Sequence, residues 1–443
     1  LPMKKRMLSL VLAFALLCIF AVPAQAADGA GTAAQLEKTT GYLISYVEDA
    51  GGPTYLNDTT TLFIVRSGVQ NEQVTAYTDA FLQNVQQTLS KTGGKLYAYN
   101  SATHLYDIES PVYYANVSAA LAGLGYDPTD FAGYDLIESI RSCDRSAMLS
   151  LDCISLSYIL TTFSQFADAS DEALLNELID AILSSYQETE EAVGFDYWGI
   201  GPDNNQRCVT ALLPFTGTRA DVKEAVEKTI AWTVGAIDES GFLHDSYADQ
   251  ANADSTGRGL SLFSAAGEME AADTVYRALM TLALENGGFA YQPGQQYDNA
   301  YATGDAYEGL IHYARVNAGE TALYDLSDTA YFRAEEVKTQ IAAIPDTVTL
   351  DDQDGIAAIR AAYDALSPHF KAKIGDISRL TDAEAAIEKL AAAQLPTVPE
   401  GPSGTESPDT GDSNTAVFAA AACIISALAA FVLRRKLLAG HIR

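Results

Sequence analysis

A glycine–aromatic step recurs along this 443-residue chain at a fixed spacing of 47 residues. The clearest copies are Gly194-Phe195, Gly241-Phe242 and Gly288-Phe289. A constant spacing of this size is typical of a repeated supersecondary unit, in which each copy packs mainly against its neighbours. The repeat therefore predicts that the middle of the chain is an array of such units.

Each step lies at the same place in a longer helical pattern. The segment NNQRCVTALLPF, after Gly194, is largely apolar with Arg207 as its only charge, as expected of a helix that is buried on both sides. The segment ADVKEAVEKTIAWTVGAI follows it and carries apolar residues on one helical face and charged residues on the other. Two more units begin in the same way at Ser255 and Tyr301. Three earlier pairs have the same pattern: 58–68 with 72–89, 108–125 with 134–142, and 146–167 with 172–186.

Six hairpins of an inner and an outer helix between residues 57 and 330 predict an all-α fold, an (α/α)6 toroid, because a closed ring leaves no repeat with an exposed end. The segments YYANVSAALAGLGYDPTDFAGYDLIESI, NNQRCVTALLPF and NGGFAYQ with YATGDAYEGLIHYAR resemble prenyltransferase and squalene-cyclase repeats. These are terpenoid cyclase-like toroids, here in the secreted form found on Gram-positive surface proteins. The resemblance implies that each glycine lets the chain leave an outer helix, and that Phe195, Phe242 and Phe289 are structural residues between repeats.

Both ends of the chain resemble targeting segments. Three basic residues at 4–6, an apolar run to Val22 and the small-residue pattern AQA predict a secretory signal peptide over residues 1–26. Near the other end, residues 415–433 have no charge and are followed by three basic residues. This length and this basic flank predict a transmembrane helix.

Residues 407–412, SPDTGD, resemble the LPXTG-type cell-wall sorting signal of Gram-positive bacteria, with Ser407 in place of the usual Leu. The resemblance implies that a sortase cuts between Thr410 and Gly411 and joins Thr410 to cell-wall peptidoglycan. We therefore expect an extracellular protein anchored to the cell wall, with sortase and peptidoglycan as partners. The alternative is a single-pass membrane protein with an extracellular domain.

The remaining segments differ in composition from the repeats. Residues 27–56 are expected to form an N-terminal segment with a short helix. Residues 331–394 lack the glycine–aromatic step, and their apolar stripes predict a small three-helix spacer. Residues 395–406 are a linker rich in Pro, Gly and Ser, and residues 407–443 are the sorting signal.

Charge and cysteine content limit the possible partners. The net charge of −31 argues against binding nucleic acid or anionic lipid. Cys143, Cys153 and Cys208 have no metal-ligand spacing, and a disulfide such as Cys143–Cys153 is left open.

The enzymes that share the predicted fold use motifs that this chain lacks. Squalene-type cyclases protonate their substrate from a DXDD motif, which is absent; the acidic run at 350–354 lies in the spacer, where helix capping explains it. Protein prenyltransferases hold zinc with an Asp, a Cys and a His. Asp152-Cys153, His244 and His312 do not match that set, so we expect no metal and no cofactor.

Glycoside hydrolases and polysaccharide lyases also occur among (α/α)6 toroids, and they need paired carboxylates or a His or Tyr base. Asp203, Asp254, Asp298 and Asp305 all fall near the starts of inner helices and could converge. Asp203 and Asp254 fit equally well as helix N-caps. The sequence leaves both interpretations open.

A further set of charges stands out when the three clearest inner helices are aligned. Arg207, Arg258 and Asp305 then occupy one equivalent position, each as a lone charge near the first turn of an apolar segment. A buried charge is costly unless it is paired or faces water, so we expect these residues to face the bore. They either pair with one another or bind an anionic ligand beside helix N-termini.

These features together favour a wall-anchored surface protein that displays a toroid as a binding or interaction domain. We expect this domain to be non-catalytic, and its ligand is unknown. The alternative is a surface enzyme that acts on polysaccharide, as a hydrolase or lyase, or on an isoprenoid lipid, as a cyclase or transferase.

Overall fold

The computed structural model describes residues 29–394, and within this range the chain forms seventeen α-helices and two short antiparallel hairpins. The helices are α1 (Gly29–Asp49), α2 (Asp58–Arg66), α3 (Glu72–Thr92), α4 (Pro111–Gly123), α5 (Leu136–Arg141), α6 (Arg145–Leu149), α7 (Cys153–Phe166), α8 (Glu172–Leu183), α9 (Pro202–Leu212), α10 (Ala220–Gly235), α11 (Ala253–Ala266), α12 (Met269–Met280), α13 (Ala300–Asn317), α14 (Ala330–Ala343), α15 (Gln353–Ala365), α16 (Pro368–Ile374) and α17 (Ser378–Gln394). The hairpins pair β1 (Tyr97–Asn100) with β2 (Leu105–Glu109), and β3 (Tyr186–Glu188) with β4 (Val193–Phe195).

Six helices form a closed inner ring. In the order α2, α4, α7, α9, α11 and α13, each packs against the next, and α13 packs against α2. Outside them lie α1, α3, α5, α8, α10 and α12, each packed on an inner helix. The inner helices are apolar on most of their surface because they are covered on both sides, and Tyr114, Phe163 and Phe263 are completely buried. The prediction of an all-α toroid is confirmed.

The sixth outer helix comes from a part of the chain that the sequence did not assign to the ring. Residues 27–56 were expected to hold only a short helix, but α1 is 21 residues long and packs on α13. The hydroxyls of Thr40 and Tyr307 lie 2.5 Å apart, and Thr39 Oγ1 donates to the carbonyl of Gly287 at 2.8 Å. Residues 318–329 contain no helix. The last inner helix therefore takes its outer partner from the beginning of the domain.

Two other predicted helix boundaries were wrong. The inner helix expected over 146–167 is interrupted between α6 and α7, because the Asp152 side chain accepts from the amide of Ser155 and caps α7. The spacer has four helices rather than three. Pro368 begins α16, which follows the prolyl preference for the first helical turn, and Gly375 ends it with φ of 72°. The acidic run at 350–354 includes Asp352, which caps its own turn by accepting from the amide of Thr349.

The glycine–aromatic steps have the structural role that the repeat implies. Phe195 and Phe289 are completely buried. The amide of Phe195 donates to Asn205 Oδ1 at 3.0 Å, and the amide of Phe289 donates to Thr303 Oγ1 at 2.8 Å. These two steps are thus fixed to the first turn of the inner helix that follows each of them.

The glycines of these steps do not end the outer helices, which corrects one expectation. Helix α10 ends at Gly235, before Gly241. The glycine is needed instead for a close approach. At Gly241, where φ is 88°, a Cβ would lie 3.1 Å from the carbonyl oxygen of Thr274 on α12.

The described residues hold no helix with the length and apolar character needed to cross a bilayer. The predicted signal peptide (1–26), linker (395–406), sorting signal (407–443) and transmembrane helix (415–433) lie outside them.

Replacing Ile44 tests whether α1 belongs to the ring. Ile44 is completely buried in the toroid core. We expect Ile44→Ala to lower the free energy of unfolding by about 2–5 kcal/mol, because a large cavity would form in the core. Urea unfolding followed by circular dichroism measures this change.

Tyr46, on the same helix, provides the control because it is 50% exposed. Tyr46→Ala should change the unfolding free energy by no more than about 0.5 kcal/mol. If Ile44→Ala behaved like this control, α1 would not be part of the folded ring.

Candidate functional site

The inner helices begin at one end of the ring. Inner and outer helices alternate along the chain, so the inner helices run in the same direction. We call the N-terminal ends of α9, α11 and α13, together with the loops before them, the mouth. Two of these ends are fixed by side-chain caps: Asn252 accepts from the amide of Ser255, and Asn299 accepts from the amides of Tyr301 and Ala302.

Three of the four aspartates predicted near helix starts meet at the mouth. Asp203 and Asp254 lie in the first turns of α9 and α11, and Asp254 shares a hydrogen bond with Asp305 of α13. Ser255 Oγ donates to Asp203 Oδ2 at 3.4 Å. Asp203 and Asp254 each have a buried Oδ1 atom with no hydrogen-bond partner among the described residues. We call Asp203, Asp254 and Asp305 the mouth carboxyl cluster, and this cluster has free acceptor positions on Asp203 and Asp254.

The N-cap interpretation of these aspartates was wrong. The caps of α9 and α11 are Gly201 and Asn252, so Asp203 and Asp254 lie inside the helices. Asp298 is not part of the mouth carboxyl cluster, because it accepts a hydrogen bond at 2.5 Å from Tyr42 Oη on the outer helix α1.

Asp203 and Asp254 do not ionise alike. Burial raises the pKa of Asp254, the neighbouring Asp305 raises it further, and the pKa reaches about 8 although Arg258 opposes the shift. Burial raises the pKa of Asp203 to about 6, because Arg258 offsets only part of the effect. At neutral pH, Asp254 therefore holds a proton while Asp203 is mostly ionised.

A second group of charges lies deeper in the bore, centred on the completely buried carboxylate of Glu308. Arg207 Nη2 lies 2.7 Å from Glu308 Oε2, and Arg258 Nη1 lies 3.0 Å from the same atom. Gln206 Nε2 and Tyr324 Oη donate to Glu308 Oε1 at 2.8 Å and 2.7 Å. Burial alone would raise the pKa of Glu308, but the two guanidinium groups outweigh it and lower the pKa. We call these five residues the Glu308 cluster.

The residues predicted from the helix alignment lie in or beside this cluster. Arg258 forms an ion pair with Asp305, so these two predicted residues are in contact, and Arg207 meets Arg258 through Glu308. Arg207 also stacks on the ring of Tyr158, at 4.6 Å from the ring centre. Binding of an anionic ligand by these residues stays a prediction.

Glu308 was missed by the sequence analysis. It lies three residues after Asp305 and therefore on the same face of α13, which is the signal that could have identified it. Tyr324 was also missed. It reaches the cluster from the non-helical segment 318–329, and no local sequence pattern predicts that contact.

Exposed aromatic side chains surround the mouth. Trp198, Tyr247 and Tyr301 are 73%, 74% and 81% exposed, and Tyr297 is also exposed. We call these four residues the aromatic rim. The loops of Trp198 and Tyr247 are neighbours, because a Cβ at Gly201 would lie 3.0 Å from Ser246. Large exposed aromatic rings are typical of a ligand-binding surface.

The loops that carry the rim contain unusual backbone conformations. Trp198 and Asp249 have positive φ angles of 65° and 50°. Residues other than glycine adopt this region at an energetic cost, and such positions concentrate at binding sites. His244 stabilises the second loop by hydrogen bonds to Asp238 and Asp249.

The described residues contain no cluster of three or more His, Cys, Asp or Glu that could hold a metal ion. Cys143, Cys153 and Cys208 are free thiols, so Cys143 and Cys153 do not form a disulfide.

Removing Glu308 would leave the buried Arg207 guanidinium without a carboxylate partner and would leave Arg258 paired with Asp305 alone. We expect Glu308→Ala to lower the free energy of unfolding by about 3–5 kcal/mol. Glu335→Ala is the control, since Glu335 forms an exposed pair with Lys338 that contributes little. Both are measured by urea unfolding.

A double-mutant cycle separates pairing from packing. The double variant Arg207→Ala, Glu308→Ala should lose at least about 1 kcal/mol less unfolding free energy than the two single variants lose in sum. The reason is that the second substitution removes a charge already left unpaired. Additive losses would contradict the pairing of Arg207 with Glu308.

The comparisons with known proteins found similar solved structures. No family model and no curated protein matches this chain. The resemblance to prenyltransferase and squalene-cyclase repeats is therefore limited to the segments quoted above.

Three of the similar solved structures are named for proteins that act on carbohydrate. One is a polysaccharide lyase at 12% identity, with a TM-score of 0.47 and coverage of 66% of this chain and 98% of that chain. Another is a glycosyl hydrolase family 88 protein from Bacteroides vulgatus, at 11% identity with a TM-score of 0.47, covering 65% and 99%. A possible member of the GH105 family from Salmonella enterica has 12% identity and a TM-score of 0.44, covering 66% and 96%.

Proposed function

We propose that the mouth is a catalytic site that hydrolyses glycosidic bonds of a neutral polysaccharide. The observation that supports this most is the pair of Asp254 and Asp203, which have different protonation at neutral pH and each have an acceptor atom without a partner. This choice follows the polysaccharide-hydrolase alternative of the sequence analysis rather than the non-catalytic domain.

Glycoside hydrolysis needs one protonated carboxyl group and one carboxylate. In the proposed reaction Asp254 donates its proton to the glycosidic oxygen while the bond from that oxygen to the anomeric carbon breaks. Asp203 accepts a proton from water as the water oxygen bonds to the anomeric carbon. Proton exchange with solvent then restores both groups.

Asp305 acts as a positioning residue in this scheme. Burial and then the neighbouring Asp305 raise the pKa of Asp254, and the ion pair with Arg258 holds Asp305 in place. Arg258 is in turn held by Glu308. The acid at the mouth thus depends on charges one turn deeper in the bore.

The charge of the mouth favours a neutral substrate. Its carboxyl groups would repel uronate or sulfate groups, and Arg258 is already paired with Asp305 and Glu308. The aromatic rim supplies flat apolar faces, on which the C–H faces of sugar rings stack. An isoprenoid lipid fits poorly, because the bore below the mouth contains paired charges rather than an apolar channel.

Activity tests this proposal through the two aspartates. We expect Asp254→Asn and Asp203→Asn each to lower kcat by about 100-fold or more, because each removes a proton-transfer group. Reducing-end release from β-glucan, xylan and mannan measures the activity, with polygalacturonate as the anionic comparison. Asp79→Asn is the control, because Asp79 is exposed on the outer helix α3, away from the mouth loops.

The pH dependence gives a second test of the same assignment. Activity should rise as pH increases through about 6, where Asp203 ionises, and should fall through about 8, where Asp254 loses its proton. An activity that kept rising above pH 9 would contradict Asp254 as the acid.

A non-catalytic glycan-binding domain is the second candidate, favoured by the exposure of Trp198 and Tyr247. It predicts saturable binding of the same neutral polysaccharides, weakened by Trp198→Ala, without release of reducing ends. Binding without any cleavage would therefore contradict the catalytic proposal and support this one.

We also propose that the protein is exported and joined to the cell wall at Thr410, since its sequence carries a signal-peptide pattern and an LPXTG-like motif. Thr410→Ala should leave the protein in the membrane fraction, and muramidase should no longer release it. Release by muramidase that equals that of the unaltered protein would contradict sorting at Thr410.

A further inference from the structure

A separate cavity lies at the opposite end of the bore from the mouth. It has a volume of about 430 Å³ and is formed at the C-terminal ends of α7, α9 and α11, with His312 of α13 and the segment after α13. Its apolar wall consists of Leu213, Pro214, Phe215, Ala265 and Ala322. Pro214 and Asp325 of its lining are exposed, so the cavity opens to solvent. Its size falls in the range of small-molecule sites.

His312 is the polar group of this cavity that has an unused bonding position. The residue is completely buried, and its Nε2 atom has no hydrogen-bond partner among the described residues. Its other nitrogen, Nδ1, lies 3.0 Å from Ser261 Oγ. A buried polar atom without a partner is uncommon and indicates a missing one.

The hydrogen-bond network favours a proton on Nδ1 of His312. The Ser261 hydroxyl donates its one hydrogen to Glu308 Oε1, at 3.3 Å, because a carboxylate only accepts. Gln206 Nε2 donates to Ser261 Oγ at 3.1 Å. Ser261 therefore accepts from His312 Nδ1, and Nε2 of the neutral ring is an acceptor. Burial lowers the pKa of His312 to about 4, so the ring is neutral at pH 7.

We propose that this cavity binds a small, mostly apolar molecule that carries one O–H or N–H donor, which donates to His312 Nε2. The apolar wall accounts for the body of the ligand, and the free acceptor accounts for its polar group. The site does not rest on the proposed hydrolase activity, because none of its lining residues belongs to the mouth carboxyl cluster.

A matched pair of probes tests the donor. 2-Naphthol and 2-methylnaphthalene have nearly the same shape, but only 2-naphthol has an O–H group. Titration of the full-length protein, followed by probe fluorescence, should show saturable binding of both. We expect 2-naphthol to bind about 3- to 10-fold more tightly, which is the contribution of one hydrogen bond.

Three variants locate the binding site. His312→Phe should remove the advantage of 2-naphthol while 2-methylnaphthalene still binds. Ala265→Phe, at a half-buried position of the wall, should abolish binding of both probes by filling the cavity. Trp198→Ala is the control for stacking on the aromatic rim, and it should leave both affinities unchanged.

Several results would overturn the proposal: no saturable binding, equal affinity for the two probes, or binding that survives Ala265→Phe. Loss of binding in Trp198→Ala would place the probes at the mouth instead. Thermal unfolding checks that each variant is folded. If His312→Phe does not fold, the comparison of probes and the Ala265→Phe variant still decide the outcome.

Discussion

The attraction between the buried Glu308 carboxylate and two guanidinium groups joins the parts of the toroid at its centre. Arg207 comes from α9, Arg258 from α11 and Glu308 from α13, while Tyr324 reaches the same carboxylate from the segment after α13. Such a charge would be costly in the bore if it were alone, and it is tolerated because each partner is present. The inner helices therefore have to assemble around it in one arrangement.

The chemistry at both ends of the bore depends on this arrangement. Toward the mouth, Arg258 pairs with Asp305, and burial together with the neighbouring Asp305 raises the pKa of Asp254. Toward the far end, Glu308 accepts a hydrogen bond from Ser261, which favours the tautomer with His312 Nε2 as an acceptor. The buried carboxylate is thus joined to Asp305 at the mouth through Arg258 and to His312 at the far cavity through Ser261.

The sequence predicts the parts of this protein that follow from local periodicity. The 47-residue step and the inner and outer helical patterns predict the ring, and lone charges in apolar helices point to Arg258 and Asp305 as partners. The sequence does not predict contacts between distant segments. Helix α1 closes the ring from the start of the domain, and the contact of Tyr324 depends on the path of a loop. Asp203 and Asp254 fit a cap pattern, but Gly201 and Asn252 occupy those positions.

The central claim is that Asp254 holds a proton at neutral pH while Asp203 is ionised. Carbon-13 NMR of protein labelled at the aspartate carboxyl carbons measures this directly, with Asp254→Asn and Asp203→Asn used to assign the two signals. The account predicts titration of Asp254 near pH 8 and of Asp203 near pH 6. Titration of both residues near the ordinary aspartate value of about 4 would contradict it.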